Sequence, residues 1–378
     1  MPGFELIGKE EQLAVQEVFE EGGILFAHGF DALRKRYHVK EFESNTSKYF
    51  NSKYCVAVSS GTAGLKAALK AVGVGYGDEV VTQAFNFIAT IEAILDCGAK
   101  PVICGVDENL HMDLKELKKK VNSKTKAIIM VHMLGMGGPL KNIEEIKKKL
   151  NVPIIEDNCE AIGGKFNNKF YGNLGDIGIM SFDHGKMIAC GEGGMIMTNN
   201  KVYGEFVSQY RDHGHENNPN LPRGRDNRVM PGFNYRMTEL QGAIGKVQLS
   251  KLNFMLMENK KRYKILESKI SKKFRVRNEL ENHSGSYDTF IFSLEDKKIK
   301  ANILEILKKL NFGTKNLPDA MEWHCSYFWS HALSRDNISN SLLTYNLLNK
   351  QIAIPILLRK SLSDYEMLAK RIVDNSCI

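Results

Sequence analysis

The stretch YCVAVSSGTAGLKAALKAVGVGYGDEVVT, residues 54–82, contains two short apolar segments separated by a segment with helical spacing. Tyr54–Ser59 and Glu79–Thr82 predict strands, and Thr62–Val72 predicts the helix between them. The alternation continues along the chain, with strands expected at Pro101–Val106, Ala127–Val131, Val152–Ile155, Ile177–Phe182 and Met195–Thr198. Strands that alternate with helices are typical of a mostly parallel sheet that is covered on both faces. We therefore expect an α/β fold.

The character of the chain changes after residue 245. A Lys-rich helix is predicted from Lys246 to about Lys272, followed by strands at Phe274–Val276 and Thr289–Leu294 and a helix at Ala301–Leu310. This order is typical of a smaller α+β unit. We expect a large α/β domain at residues 1–245 and a small C-terminal domain at residues 246–378.

The composition is that of an ordinary globular protein, with 378 residues, 43% hydrophobic and 25% charged, and a net charge of +8. The lysine runs lie on helix-like segments without interleaved aromatic residues, so a solvated face explains them better than nucleic-acid binding. The excess of positive charge favours an anionic substrate or cofactor.

The seven cysteines show no C-x-x-C spacing, so neither a zinc ribbon nor a thioredoxin-like motif is predicted, and no metal site is expected. Cys55, Cys97, Cys104 and Cys190 stand in apolar or glycine-flanked strings, which indicates buried free thiols in a reducing compartment. No signal peptide and no membrane span is expected, and the cytoplasm is the expected location. No GxxxxGK[ST], HExxH or GxSxG string occurs, which removes the usual support for nucleotide hydrolysis, zinc proteolysis and α/β-hydrolase chemistry.

Three short strings carry candidate chemistry. In SSGTAGLKAAL (residues 59–69), a strand ends just before a helix, so Gly61, Thr62 and Ala63 would present N–H groups and a hydroxyl to an anion. A capped turn without a ligand explains this string equally well. In IIEDNCEA (residues 154–161), Asp157 ends a strand at the rim where parallel sheets bind ligands, with helix capping as the alternative.

The third string, SFDHGKMIACGEGG (residues 181–194), places Lys186 in a glycine-rich loop framed by Ser181. A loop lysine is usually solvated, but one that is desolvated can react with a carbonyl group. A phosphate site, a strand-end Asp and a reactive Lys together are what pyridoxal 5′-phosphate requires. The Asp would keep the pyridinium nitrogen protonated, and the Lys would form a Schiff base with the aldehyde and move protons.

The chain also resembles the DegT/StrS-type sugar aminotransferases, which are fold type I pyridoxal-phosphate enzymes, over nearly its whole length. The matching strings are SSGTAGLKAAL, GVGYGDEVVTQAFNFIATIEAI, VHMLG, IIEDNCEA, GDIGIMSFDHGKMIACGEGGMI, YRDHG and PGFNYRMTELQGAIGKVQL. The S-F-x3-K-x4-G-E-G-G spacing is specific to this group. The resemblance implies the two-domain fold type I architecture and an aminotransferase activity.

The resemblance also implies roles for single residues. Lys186 would be the Schiff-base lysine, Asp157 the pyridinium partner, and Phe87 would lie over the cofactor ring. Phosphate would be bound by Thr62, Ala63 and Ser181, and by Asn234 from a second subunit, so a homodimer with shared sites is implied. Phe87 could instead be a core residue, and Asn234 a turn residue. Glu192 is expected to shape its turn.

Two departures from the family pattern concern the cofactor and the substrate. Glu160 stands where the family usually has Gln or His, near the cofactor's phenolic oxygen, so its carboxylate would have to be protonated or paired. The C-terminal region reads NLPDAMEWHCSYFW (residues 316–329) instead of the Arg-Pro…Pro…His pattern of nucleotide-sugar enzymes. Trp323 and His324 could therefore close over a compact polyol, or could simply pack within the small domain.

We expect an aminotransferase that uses glutamate and a compact anionic carbohydrate, either a small phosphorylated ketose or a sugar acid such as an octulosonate, for surface polysaccharide. The first alternative is a nucleotide-linked keto sugar as acceptor. A second is a sugar dehydratase, in which a His replaces the Lys; Lys186 argues against it, although His184 lies nearby. The third is a cofactor-binding regulatory protein, for which the chain has no extra DNA-binding module.

Overall fold

The computed structural model describes residues 2–139, 141, 143–218 and 220–375. Its helices are α1 (Pro2–Glu5), α2 (Lys9–Glu20), α3 (His38–Phe50), α4 (Gly61–Ala71), α5 (Ala89–Asp96), α6 (Leu114–Lys120), α7 (Ile143–Leu150), α8 (Lys201–Tyr210), α9 (Glu239–Ile270), α10 (Lys297–Lys309), α11 (Met321–His324), α12 (Arg335–Asn340), α13 (Leu342–Leu348) and α14 (Leu362–Asp374). Its strands are β1 (Tyr54–Val58), β2 (Glu79–Gln83), β3 (Lys100–Cys104), β4 (Thr125–Val131), β5 (Ile154–Asp157), β6 (Lys165–Phe166), β7 (Lys169–Phe170), β8 (Ile177–Ser181), β9 (Gly194–Thr198), β10 (His283–Ser284), β11 (Thr289–Ser293) and β12 (Gln351–Pro355).

A seven-stranded sheet in the order β1-β9-β8-β5-β4-β2-β3 forms the centre of the fold. The pairs β2–β3, β2–β4, β4–β5 and β5–β8 are parallel, whereas β9 runs antiparallel to both β1 and β8. The expected α/β fold with a mostly parallel sheet is confirmed. The two strands of the 54–82 stretch, β1 and β2, lie in opposite halves of the sheet, so these two sequence neighbours do not pair with each other.

Both faces of this sheet are buried. In β1, Val56 and Val58 pack in the hydrophobic core that contains Leu65 of α4, whereas Cys55 and Ala57 pack in a core on the opposite side. Because successive strand residues point to opposite faces of the sheet, a strand that is apolar throughout must be covered by other elements on both faces. This explains the continuous apolar strings in the sequence.

Helix α9 is longer than the sequence predicted. It begins at Glu239, not Lys246, because the Thr238 side chain caps it: Thr238 Oγ1 accepts from Gln241 N, and Gln241 Oε1 accepts from Thr238 N at 2.9 Å. The division at residues 245 and 246 therefore falls inside one continuous helix. The division of the chain into two domains stays a prediction.

The C-terminal part of the chain packs in two places. Leu266 and Ile270 of α9 join β11 and β12 in a separate hydrophobic core. Trp329, by contrast, is buried against Ile88 and Ile103 of the first half of the chain. The strand predicted at Phe274–Val276 is reduced to an isolated bridge between Val276 and Phe292.

Two further features concern the cysteines and the helices. The six cysteines in the described part of the chain carry free thiols, and the four expected to be buried are buried. Among the described residues, no helix combines the length and the apolar character needed to cross a membrane.

Candidate active site

A cavity of about 360 Å³ lies at the carboxyl end of the central sheet. It is formed by the end of β5, the end of β8, the N-terminus of α4 and a segment of the C-terminal half. The cavity brings together eight of the predicted site residues: Gly61, Thr62, Phe87, Asp157, Glu160, Ser181, Lys186 and His324. Parallel strands point their carboxyl ends to one rim, which explains why residues so distant in sequence meet there.

The N-terminus of α4 forms one end of the cavity. Ser60 caps the helix, since its Oγ accepts from Ala63 N at 3.1 Å. A Cβ on Gly61 would lie 2.9 Å from the Cβ of Ser181 and 3.2 Å from the Sγ of Cys159, so only glycine leaves room between the helix and β8. Ala63 is buried, and its N–H is already donated to Ser60. The anion site is therefore centred on the first turn with Ser60 as an additional member, which a serine directly before a helix signals.

Asp157 is the last residue of β5 and is buried. Its Oδ1 accepts from Cys159 N at 3.1 Å, and its Oδ2 accepts from the Thr90 hydroxyl at 3.4 Å. The chain after Asp157 forms a turn, so among the described elements this carboxylate caps no helix. It is oriented by two donors and lines the cavity.

Lys186 lies in the loop between β8 and β9, and its Nζ lies 3.4 Å from Oε1 of Glu160. Burial lowers the pKa of the Lys186 ammonium, but the nearby carboxylates, Glu160 first, outweigh burial and the pKa is raised overall. The sequence placed this lysine in a loop. Only the fold shows that it is desolvated and paired.

The carboxylate of Glu160 is paired with Lys186, which is one of the two states that the sequence analysis required of it. Besides Lys186, it contacts Asn316, whose Nδ2 lies 3.3 Å and 3.2 Å from the two oxygens, and its Oε2 accepts from Leu134 N at 3.3 Å. Burial raises the pKa of this carboxyl, but Lys186 and Lys315 more than offset that effect and hold the pKa well below its ordinary value. Glu160 is therefore ionised.

An aromatic group stands at the mouth of the cavity. Phe87 is 43% exposed, so it is not a core residue. Its ring stacks on Trp323 with centroids 6.3 Å apart and lies at a tilt to the His324 ring, with centroids 5.4 Å apart. His324 lines the cavity and donates Nδ1–H to Ala320 O at 2.8 Å. Burial lowers the pKa of His324, although Glu160 opposes this, so Nε2 of the neutral ring is an acceptor. Trp323 is exposed and lies outside the cavity's lining.

Asn234 is not brought to this cavity within the single chain. It is exposed and pairs through its backbone with Asp212, while the next residue, Tyr235, accepts from Ser59 N at 2.8 Å. The loop is thus anchored beside α4 with the Asn234 side chain facing outward. This placement is compatible with the predicted role in a second subunit, which stays a prediction.

The residues present fit pyridoxal 5′-phosphate. The α4 N-terminus and the Ser181 hydroxyl supply donors for a phosphate, and the missing side chain of Gly61 leaves space beside them. Asp157 supplies an oriented carboxylate for a protonated ring nitrogen, and Lys186 supplies the amine. One cavity contains all three groups.

The family model for the DegT/DnrJ/EryC1/StrS aminotransferases matches residues 7–358. The chain belongs to this family. Its membership confirms the predictions of a fold type I architecture, an aminotransferase and pyridoxal 5′-phosphate as the cofactor.

Known relatives agree with this assignment. The chain is 32% identical over 262 residues to "GDP-perosamine synthase" of Escherichia coli O157:H7, covering 67% of each chain. It is 33% identical over 262 residues to "Spore coat polysaccharide biosynthesis protein SpsC" of Bacillus subtilis (strain 168), covering 66% of this chain and 64% of the relative. The crystal structure of 3-amino-5-hydroxybenzoic acid synthase matches the fold with a TM-score of 0.85 at 22% identity, covering 99% of this chain and 98% of that one.

The side chains and the helix N-terminus that line the cavity can each be given a role in aminotransferase chemistry. The cofactor, when bound, supplies an aldehyde that takes up amino groups and a ring that accepts electrons. Asp157 would hold a proton at the ring nitrogen, and the first turn of α4 would fix the phosphate. Lys186 Nζ would carry a proton to and from the substrate carbon, with Glu160 and Asn316 fixing its position.

The dehydratase alternative depends on His184, and the structure places that residue elsewhere. His184 is exposed, and its ring stacks on Phe4 with centroids 4.7 Å apart. Among the described residues, the position inside the cavity is taken by Lys186. The position of Lys186 in the cavity therefore argues against the dehydratase.

Proposed function

We propose that the protein transfers an amino group from glutamate to the keto carbon of a nucleotide-linked sugar. The observation that carries the transfer itself is the placement of Lys186 Nζ in one cavity with Asp157 and the N-terminus of α4. These are the amine, the ring-nitrogen partner and the phosphate site that the cofactor requires.

The choice of acceptor reverses the first expectation from sequence. The missing Arg-Pro…Pro…His pattern suggested a compact, free sugar acid or phosphate, but a relative at 32% identity is a GDP-perosamine synthase, and perosamine is an amino sugar. The relatives thus support the nucleotide-linked alternative better than the compact acceptor. The region of residues 316–329 therefore differs in sequence from other members without excluding that substrate class.

The mouth of the cavity supports the same acceptor. Phe87 and Trp323 form a partly exposed aromatic surface, with Trp323 60% exposed, that extends beyond the cavity lining. A free sugar acid would be enclosed by the cavity, whereas a nucleotide attached to the sugar would continue across such a surface. His324 Nε2 can accept a hydrogen bond from a sugar hydroxyl inside the cavity.

The test is a panel of acceptors assayed with glutamate. It includes GDP-, UDP- and dTDP-linked 3- and 4-keto sugars, octulosonate aldehydes and small keto phosphates. We expect turnover of at least one nucleotide-linked keto sugar, together with loss of turnover in Lys186→Ala. Turnover of free acids or phosphates alone would contradict the proposal.

The roles of Trp323 and His324 are tested by timing the two half-reactions separately through the cofactor's colour. We expect Trp323→Ala and His324→Ala to raise the KM for the acceptor while leaving the glutamate half-reaction nearly intact, because the acceptor is larger than glutamate and would extend to the aromatic group at the mouth of the cavity. His331→Ala, at an exposed position, is the matched control. Equal damage to both half-reactions would assign Trp323 and His324 to packing.

We extend the proposal to the biological setting. The product is an amino sugar for a surface polysaccharide such as capsule or lipopolysaccharide, which the similarity to the spore coat protein SpsC supports. A homodimer is supported by the outward-facing Asn234. The buried free thiols support the cytoplasm as the location.

A further inference from the structure

We propose that Glu160 is a positioning residue that holds the Lys186 amine as an ammonium ion and is itself held in place by Asn316 from the C-terminal half of the chain. The inference rests on the proposed function only in so far as Lys186 is the reactive amine. It does not depend on which sugar is the acceptor.

The geometry places Glu160 between two parts of the molecule. Glu160 follows β5, and its Oε1 lies 3.4 Å from Lys186 Nζ. Asn316 belongs to the segment between α10 and α11, and its Nδ2 reaches both carboxylate oxygens. The Leu134 amide supplies a further donor from the loop after β4. Donors from three separate elements thus fix one carboxylate.

The surrounding charges alternate in sign. Lys315 Nζ is buried and lies 2.6 Å from Oδ2 of Asp288, so its charge is compensated by its own partner. The titratable groups that act on Glu160 or Lys186 from the packed elements are Lys186, Lys315, His324, Asp157, Cys159 and Asp183. Among the cationic side chains of the described residues, Lys186 is the one in direct contact with Glu160, which makes the Glu160–Lys186 pair the dominant interaction.

The contact with Glu160 affects the protonation state of Lys186 Nζ. An adjacent carboxylate stabilises the charged form of an amine, so Nζ retains a proton to a higher pH than an isolated buried lysine would. A neutral Gln or His at this position could not do so as strongly. The same negative charge favours the protonated form of the linkage between Lys186 and the cofactor.

The experiment titrates the visible absorption of the full-length holoenzyme with pH. Glu160→Gln keeps the shape of the side chain but removes its charge. We expect the pH at the midpoint of the absorption change, which reports protonation of the linkage between Lys186 and the cofactor, to fall by about 1 pH unit or more. Glu160→Asp, which restores the charge, should lie between Glu160→Gln and the wild type. Asn316→Ala should shift the midpoint in the same direction by less, because the carboxylate is then less well fixed.

Glu322→Gln is the matched control, because it removes one carboxylate from an exposed position near the same cavity. It should leave the midpoint unchanged. A midpoint that stays constant or rises in Glu160→Gln would overturn the proposal. If Glu160→Gln does not fold, the Glu160→Asp and Asn316→Ala midpoints decide the question, and two unshifted midpoints overturn the proposal.

A second measurement uses the full-length chain stripped of cofactor. The rate at which acetic anhydride labels Lys186, followed by peptide mass spectrometry against pH, gives the pKa of the amine directly. We expect that pKa to be lower in Glu160→Gln, with the same limiting rate at high pH; a change only in the limiting rate would indicate altered access and overturn the proposal. Failure of the acceptor panel would leave both of these measurements intact, so the two proposals can fail separately.

Discussion

At the scale of single residues, Gly61 determines whether the phosphate end of the cavity can form. It opens α4 and faces β8, where a Cβ would lie 2.9 Å from that of Ser181. Both atoms belong to regular elements, so neither can move without shifting backbone. The side chain at residue 61 therefore controls the distance between the helix N-terminus and the Ser181 hydroxyl.

We predict that Gly61→Ala weakens binding of pyridoxal 5′-phosphate about tenfold or more, because displacing either donor costs a charge-assisted hydrogen bond, worth about 1.5–3 kcal/mol. The dissociation constant, measured by absorption after cofactor removal, tests this. Gly75→Ala is the control, since a side chain there meets nothing within 4 Å. Unchanged affinity in Gly61→Ala would show that the phosphate binds elsewhere.

At the scale of elements, the short helix α1 packs against the loop that carries Lys186. A Cβ on Gly3 would lie 2.8 Å from Met187 O and would collide with Lys186 O. The other side of α1 is tied to the C-terminal half, because Glu5 accepts from Leu358 N at 2.5 Å and pairs with Arg359 at 3.0 Å. Helix α1 thus joins the lysine loop to the segment after β12.

We predict that Gly3→Ala destabilises the protein by about 1–3 kcal/mol, because an added methyl group must displace the backbone of the lysine loop. It should also increase the rate at which borohydride or acetic anhydride reaches Lys186. Urea unfolding and peptide mapping measure the two effects. Gly224→Ala, with open space around its Cβ, should change neither. Destabilisation without altered Lys186 reactivity would limit α1 to a purely structural role.

At the scale of the whole molecule, the outward-facing Asn234 predicts complementation between subunits. Mixing inactive Lys186→Ala with inactive Asn234→Ala should restore about a quarter of the wild-type activity, because half of the dimers in an equal mixture are hybrids and each hybrid has one intact site. The measurement is activity after confirmed subunit exchange. No recovery would mean that each chain builds its own site.

The stability of the whole fold should depend on pH through His28, which lies 3.7 Å from Asp212. Burial, followed by the charge of Arg211, lowers the pKa of His28 to about 3. Below pH 6.5, the ordinary pKa of histidine, His28 binds a proton in the unfolded chain but stays neutral in the folded chain. The free energy of unfolding therefore falls as the pH falls towards 3, by at most ~1.4 kcal/mol per pH unit.

His28→Gln should remove this contribution. We therefore predict a smaller loss of unfolding free energy between pH 7.5 and pH 5 in His28→Gln than in the wild type, measured by urea unfolding at several pH values. Equal slopes in the two proteins would show that His28 is protonated in the folded state or already solvated.

The sequence by itself determined the layers of the fold and the local positions of the main candidate residues of the site. Apolar strands with alternating helices require a sheet buried on both faces. Gly61–Ala63 lie at the start of a helix, Asp157 at a strand end and Lys186 in the glycine-rich loop, as predicted. These features depend on local spacing and on the rule that parallel strands share one carboxyl rim. Local patterns are sufficient to predict them.

The tertiary structure alone decided the strand order and the partners of Glu160. The pairing of β1 with β9 joins residues 54–58 to residues 194–198, and Asn316 reaches Glu160 from 156 positions away. Such contacts depend on which surfaces pack together, and no local spacing in the chain encodes them. The charge state of Glu160 follows from packing for the same reason, because burial and the distance to Lys186 exist only in the folded chain.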